Sequence, residues 1–87
     1  MTLEDIETTL IRGMSSITAR GSSSIRADVP LYDLGIDSLG LVEFLVFIEK
    51  SFDLKLIEMD LTKKDFETIR SIASFISERL PDKKNKR

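Results

Sequence analysis

Apolar residues recur at steps of three and four in three separate segments of this chain, which is the spacing of one face of an α-helix. The three apolar stripes are Leu3, Ile6, Leu10, Met14 and Ile17; Leu41, Phe44, Leu45, Ile48 and Phe52; and Ile69, Ile72, Ala73, Ile76 and Leu80. Strand-like alternation is confined to a short stretch at 53–57. The pattern predicts an all-α fold, a small helical bundle of three main helices around one core.

A residue able to cap a helix precedes each apolar stripe. Thr2 stands before the first stripe with Asp5 three residues further on, as in a capping box. Asp37 precedes a helix predicted over 38–52, and Thr68 precedes the last helix. The starts of all three helices are therefore predicted from local sequence.

The connections between the helices differ in length. A loop at 18–37, broken by serines, a proline and a glycine, joins the first two helices. A short additional helix is predicted from Thr62 to about Phe66, before the last main helix. The long loop is expected to pack against the helices because it contains the apolar residues Val29, Leu31, Leu34 and Ile36.

The length of 87 residues allows one small domain, predicted at 1–80. Residues 1–80 contain 9 Lys/Arg and 14 Asp/Glu, a net charge of −5, whereas residues 81–87 contain 4 Lys/Arg and 1 Asp, a net charge of +3. We expect this basic C-terminal tail to be disordered. The acidic body predicts basic partner surfaces and argues against nucleic acid as a partner.

The chain contains no cysteine and no histidine. It therefore lacks disulfides, a cysteine nucleophile, the usual zinc ligands and the commonest general base, and we predict no metal site. The apolar run at 44–48 is too short to span a membrane, and residues 1–5 do not form a secretory signal. We expect a cytoplasmic monomer with no membrane span.

The predicted second helix has a second apolar face in addition to its core stripe. Leu39, Val42 and Val46 lie at i, i+3 and i+7, and Glu43 and Glu49 flank them. Such a face is either covered by the long loop or presented to a partner protein. Because so small a chain has little left to cover it, we favour a partner.

The segment that leads into this helix has the sequence GIDSL at 35–39. Gly35 permits a tight turn, and Asp37 is the predicted N-cap. Ser38 then lies in the first turn, near the positive end of the helix dipole, where a phosphate group is stabilised. An Asp-Ser pair alone is common at helix starts as ordinary capping chemistry. The pair therefore indicates a function only together with the residues around it.

The surrounding residues resemble the phosphopantetheine attachment region of acyl and peptidyl carrier proteins. The similar motifs are LYDLGIDSL at 31–39, VE at 42–43, EKSF at 49–52 and FETI at 66–69. The resemblance extends over roughly 3–80 in length, helix order and loop placement.

The resemblance implies that Ser38 accepts 4'-phosphopantetheine from coenzyme A, installed by a separate magnesium-dependent phosphopantetheinyl transferase. Asp37 would belong to the surface that this transferase recognises. The partner-recognition face of the helix would consist of Leu39, Val42, Glu43, Val46 and Glu49. A carrier of this kind is not an enzyme; it holds acyl or aminoacyl groups as thioesters for a loading ligase or transferase and for downstream synthase enzymes.

Three positions depart from the housekeeping fatty-acid carriers of this family. Gly40 replaces an acidic residue two places after the serine, and Lys50 and Ser51 replace acids at the end of the helix. The segment at 60–69 is also longer than in those carriers. These differences indicate a discrete carrier of a specialised pathway.

One alternative is a carrier-like helical module that binds proteins and is never modified. Its sequence would show the same helices and the same exposed face, so only a test of modification separates the two.

A second alternative is an enzyme with Ser38 as its nucleophile. Without histidine the base would have to be lysine, and Lys50 lies about three turns further along the same helix, too far to reach the serine.

Overall fold

The computed structural model describes residues 2–59 and 62–80, except for the side chains of Ser22 and Ile57. Three α-helices form the bundle: α1 (Leu3–Thr18), α2 (Ser38–Phe52) and α3 (Ile69–Arg79). Single 3-10 turns cover Ser22–Ser24, Leu31–Leu34 and Leu56–Glu58. No strand occurs in these ranges, so the all-α prediction is confirmed. The predicted tail at 81–87 lies outside the described residues.

All three predicted caps are present. The Thr2 hydroxyl accepts from the Asp5 amide at 3.0 Å, and the Thr2 amide donates to the Asp5 carboxylate at 3.1 Å. Thr68 accepts from the Ser71 amide at 3.0 Å and so begins α3. Each bond satisfies a backbone N–H that would otherwise lack a partner at the helix start.

The short helix predicted from Thr62 to Phe66 is wrong. The Thr62 hydroxyl accepts from the Asp65 amide at 3.2 Å, as a cap would, but residues 63–66 form only turns. The Glu67 carbonyl accepts from the Leu31 amide at 3.0 Å, and Thr68 is extended and forms an isolated bridge with Pro30. Residues 62–67 are instead joined by three consecutive turn bonds, each from an amide to the carbonyl three residues earlier.

The core lies between the three helices, with α1 against both α2 and α3. Ten of the fifteen stripe residues are buried in it, and four more are partly buried and pack against it: Ile17, Leu41, Leu45 and Leu80. Leu3, predicted for the first stripe, is instead 41% exposed because it lies at the start of α1. The side chains with no exposed area include Ile6, Leu10, Met14, Phe44, Ile48, Ile69, Ile72 and Ile76.

Gly13 sets the separation of α1 and α2. A Cβ atom at this position would lie 2.6 Å from Cδ2 of the Phe47 ring, well inside the contact distance. The Phe47 ring in turn stacks on Phe44, with centroids 6.3 Å apart. The absence of a side chain on α1 thus leaves room for an aromatic ring of α2 and fixes the position of that helix.

The long loop packs against the bundle, as its apolar residues predicted. Of the four residues predicted to pack, Leu31 and Leu34 are buried, and Val29 and Ile36 are partly buried against the core; Ile25 and Ala27 of the loop are buried as well. The Ala27 carbonyl accepts from the Arg70 amide at 2.9 Å, which ties the loop to the start of α3. The loop therefore holds the residues just before α2 in place. No α-helix among the described residues is both long and apolar enough to cross a membrane.

Candidate functional site

The chain turns sharply just before α2. Gly35 follows the 3-10 turn Leu31–Leu34 with φ 86° and ψ 18°, and its amide donates to the Tyr32 carbonyl at 3.3 Å. This left-handed conformation strains residues with a Cβ and suits glycine. Gly35 thereby directs the chain from the loop into the extended residue that caps α2.

Asp37 is that capping residue. Its backbone is extended, and its Oδ1 atom accepts from the Gly40 amide at 2.7 Å. Its carbonyl accepts from the Leu41 amide at 2.8 Å, the first bond of the helix. The side chain therefore defines where α2 begins, as the sequence predicted.

Ser38 is the first residue of α2 and is exposed. In the part of the chain that the structure describes, its hydroxyl makes no hydrogen bond to a side-chain base, and the neighbouring Asp37 carboxylate accepts from the Gly40 amide. Activation of this serine by its own chain would need such a base. The geometry suits a hydroxyl that reacts in the active site of another protein.

Gly40 has a packing role that sequence reasoning missed. It is buried, and a Cβ there would lie 2.9 Å from Cγ1 of Ile36 and 3.1 Å from Oδ1 of Asp37. The missing side chain lets the residues before the helix lie against its first turn. A side chain at this position would require Ile36 to shift.

The second apolar face of α2 is open to solvent. Leu39 is 68% exposed, Val42 50% and Val46 43%, and Glu43 and Glu49 beside them are also exposed. The loop covers the core rather than this face. The geometric argument that separated these residues from the core stripe is therefore confirmed.

Two clefts lie at the start of α2. One, of about 280 Å³, lies between the end of α1 and the start of α2 and includes Ile17 and Glu43. The other, of about 450 Å³, has Ser38 itself in its wall. Its remaining lining residues are Leu31, Tyr32, Ile36, Asp37, Leu41 and Phe66. Tyr32 and Phe66 belong to the motifs at 31–39 and 66–69, but sequence reasoning did not place them beside Ser38, because they approach it only through the folding of the loop and of the turns at 63–66.

Comparison with known families gives a match over residues 8–76 to the family described as phosphopantetheine attachment site. The chain belongs to this family. The carrier is 29% identical over 59 residues to aminoacyl carrier protein 2 of Bradyrhizobium diazoefficiens. That alignment covers 68% of the carrier and 66% of the relative, slightly under two thirds of its length. Comparison with solved structures found no match.

Membership of the family defines the general role. The chain contains a carrier domain of this family, whose cofactor is covalently attached 4'-phosphopantetheine. The residues present fit such a group, since an exposed serine lies at a helix start with a partly apolar cleft beside it. The group supplies the thiol that forms the thioester, and the chain itself contains no cysteine.

Proposed function

We propose that Ser38 is the attachment residue of this carrier. The observation that supports the assignment most strongly is its position as an exposed first residue of α2, directly after the Asp37 cap and inside the matched region. The turn at Gly35 and the packing around Gly40 hold this position without using the hydroxyl of Ser38.

The electrostatics at the start of α2 suit a phosphodiester. The amides of Ser38 and Leu39 are the first of the helix, and helices leave such groups without intrahelical partners. Together with the helix dipole they stabilise a nearby negative charge, typically by about 0.3–1 kcal/mol at an exposed site. The Asp37 carboxylate already bonds the Gly40 amide.

We propose that the carrier holds acyl or aminoacyl groups as thioesters on the arm and delivers them to partner enzymes. Its partners are then a phosphopantetheinyl transferase, a loading ligase or transferase, and synthase enzymes that use the cargo. The similarity to an aminoacyl carrier protein supports aminoacyl groups as one cargo class. Tethering raises the concentration of the cargo at each partner's active site.

Incubation with coenzyme A, Mg²⁺ and a phosphopantetheinyl transferase of broad specificity tests the attachment. Intact-mass spectrometry is expected to show the gain of one phosphopantetheine, and peptide mapping should place it on Ser38. A second, authentic carrier protein in the same tube serves as the positive control. If that control is modified and this chain is not, the unmodified protein-binding module is the better account.

We further propose that Asp37 and the exposed face of α2 form the surface on which partners dock. The face consists of Leu39, Val42 and Val46 with the acids Glu43 and Glu49 at its edges. Buried apolar contacts would supply affinity, and the acids would speed encounter with basic partner patches. The face begins beside Ser38, so a docked enzyme would meet the arm directly.

Replacing Val46 by Asp should weaken transfer or loading by about tenfold or more, because a docked interface would bury an unpaired carboxylate. The melting temperature should change little, since Val46 is 43% exposed. The matched control is Ile48→Asp, two residues along α2 at a position with no exposed area, which should unfold the domain. Thermal unfolding and loading kinetics measure both effects.

Two outcomes of this experiment would count against the docking surface. Unfolding of Val46→Asp would show that Val46 is a core residue and not part of a docking surface. Normal stability with unchanged kinetics in every partner assay would leave the exposed face without a role.

A further inference from the structure

Lys50 continues the exposed face of α2 towards the end of the helix. Leu39, Glu43, Val46 and Lys50 occupy positions i, i+4, i+7 and i+11, and all four are exposed. An α-helix turns by about 100° per residue, so these four residues lie within a sector of about 60° around the helix axis. We call these four residues the exposed row of α2.

The exposed row carries an acid nearer to Ser38 and a base at its far end. Glu43 and Lys50 are separated by a rise of about 10 Å along the helix axis, which is beyond the spacing of three or four residues at which side chains pair on a helix. Val46 lies between them and is 43% exposed. A partner that covers the row therefore meets an acid, an apolar side chain and a base in that order.

The charge of Lys50 is not paired within residues 2–59 and 62–80. The ion pairs in those ranges join other residues. Glu49 is next to Lys50 in sequence, but it lies about 100° around the helix, on the other side of Val46. Asp53 lies beyond the last turn as the C-cap. The cation of Lys50 is therefore available to a docked partner.

The last turn of α2 also gives Lys50 an effect on stability. A cation there interacts favourably with the partial negative charge at the end of the helix. This effect depends on the turn in which the lysine lies and not on the side of the helix that it occupies. Its place in the exposed row, in contrast, matters only to a partner. Stability and partner kinetics measured on the same variants separate the two effects.

A partner that reaches both Ser38 and Val46 is large enough to reach Lys50. The 15 residues of α2 correspond to a length of about 22 Å. A protein–protein interface of standard size covers about 800 Å² of each partner, a patch roughly 30 Å across. Lys50 lies about one turn beyond Val46 and so falls within such a patch.

We propose that Lys50 is a specificity-determining residue of the docking surface. It favours enzymes with an acidic group opposite the last turn of α2 and disfavours enzymes whose carrier-binding patch is basic throughout. The proposal rests on the exposed face of α2 as the docking surface. A favoured partner has a basic group opposite Glu43 and an acidic group about 10 Å farther from its active site, opposite Lys50. Like charges brought together across an interface act against the wrong partner.

The test uses a phosphopantetheinyl transferase of known structure whose carrier-binding patch carries only basic charges. A second form of this enzyme has Glu in place of the basic residue of that patch that lies farthest from the active site. The carrier variants are Lys50→Glu, Lys50→Gln and Lys50→Arg. Arg12→Glu is the matched control, because it changes the net charge as Lys50→Glu does at an exposed position of α1 outside its buried residues. Modification from coenzyme A is followed by intact mass at low and high salt.

With the wholly basic enzyme, Lys50→Glu should raise kcat/KM by about three- to tenfold, the size of one or two exposed charge pairs. The gain should come from a lower KM, because Lys50 lies far from the reacting hydroxyl, and Lys50→Gln should give a smaller gain. With the enzyme that carries the added Glu, the preference should reverse in favour of the wild type. Lys50→Arg and Arg12→Glu should stay within about twofold of the wild type, and high salt should reduce both preferences.

Equal kcat/KM for Lys50→Glu and the wild type with both enzymes, together with a lower melting temperature, would overturn the proposal and leave Lys50 a role in helix stability alone. An equal gain for Arg12→Glu would assign the effect to net charge and also overturn it. Unchanged kinetics for Val46→Asp in the same assay would instead remove the docking surface itself. A chain that gains no mass from the broad-specificity transferase would overturn the assignment of Ser38.

Discussion

Ser38→Ala is expected to take up no phosphopantetheine, while its free energy of unfolding changes by less than about 0.5 kcal/mol. The loss should be complete because attachment needs the hydroxyl oxygen. Stability should hold because Ser38 is exposed and Asp37, not Ser38, caps α2. Alanine is also a slightly better helix former than serine.

Intact-mass spectrometry and chemical denaturation of the same sample measure both quantities. Ser51→Ala is the matched control, since Ser51 is another exposed serine of α2 and its variant should gain one group as the wild type does. Modification of the Ser38→Ala variant would show that the arm is attached elsewhere. Unfolding of that variant would mean that Ser38 has a structural role that its surroundings do not indicate.

The three helices were predictable because their information is local. Apolar spacing gives the face of each helix, and caps such as Thr2, Asp37 and Thr68 give its start. The bounds of α2 agree with the prediction at both ends. Leu3 is exposed although it belongs to the first apolar stripe. Apolar spacing predicts which face of a helix a residue lies on, but not whether another element covers the end of that face.

The absence of the short helix at 62–66 was not predictable, because local sequence does not determine it. The bonds between Thr62 and Asp65 are the same for a helix start and for an isolated turn, so local sequence does not separate the two. The turns are followed directly by the bond from the Leu31 amide to the Glu67 carbonyl, which joins residues far apart in the chain. Such contacts are read only from a folded structure.

The candidate site also has one part that local sequence predicts and another part that it does not. Asp37, Ser38 and the exposed face of α2 come from one continuous segment, so their placement followed from the sequence. The cleft beside Ser38 combines residues of the loop with Phe66 of the turns before α3, and Gly40 owes its role to contact with Ile36. These features depend on how separate segments pack together.

Phe44→Ala should destabilise the domain by about 3–5 kcal/mol, the range for removing a large buried ring. Phe44 has no exposed area, and its ring stacks on Phe47, which occupies the space left by Gly13. Removing the ring therefore leaves a cavity in the core, next to the contact of Gly13 with Phe47. Small domains are stable by roughly 5–15 kcal/mol in total, so a large share of that stability should be lost.

Urea denaturation followed by circular dichroism measures this loss of stability. Val42→Ala is the matched control, because Val42 lies on the same helix at 50% exposure and should cost less than about 1 kcal/mol. A loss below about 1 kcal/mol for Phe44→Ala would show that the α1–α2 contact does not depend on this ring. A loss in the expected range also predicts weaker modification of Ser38 near the melting temperature, because α2 presents the serine only while it stays packed on α1.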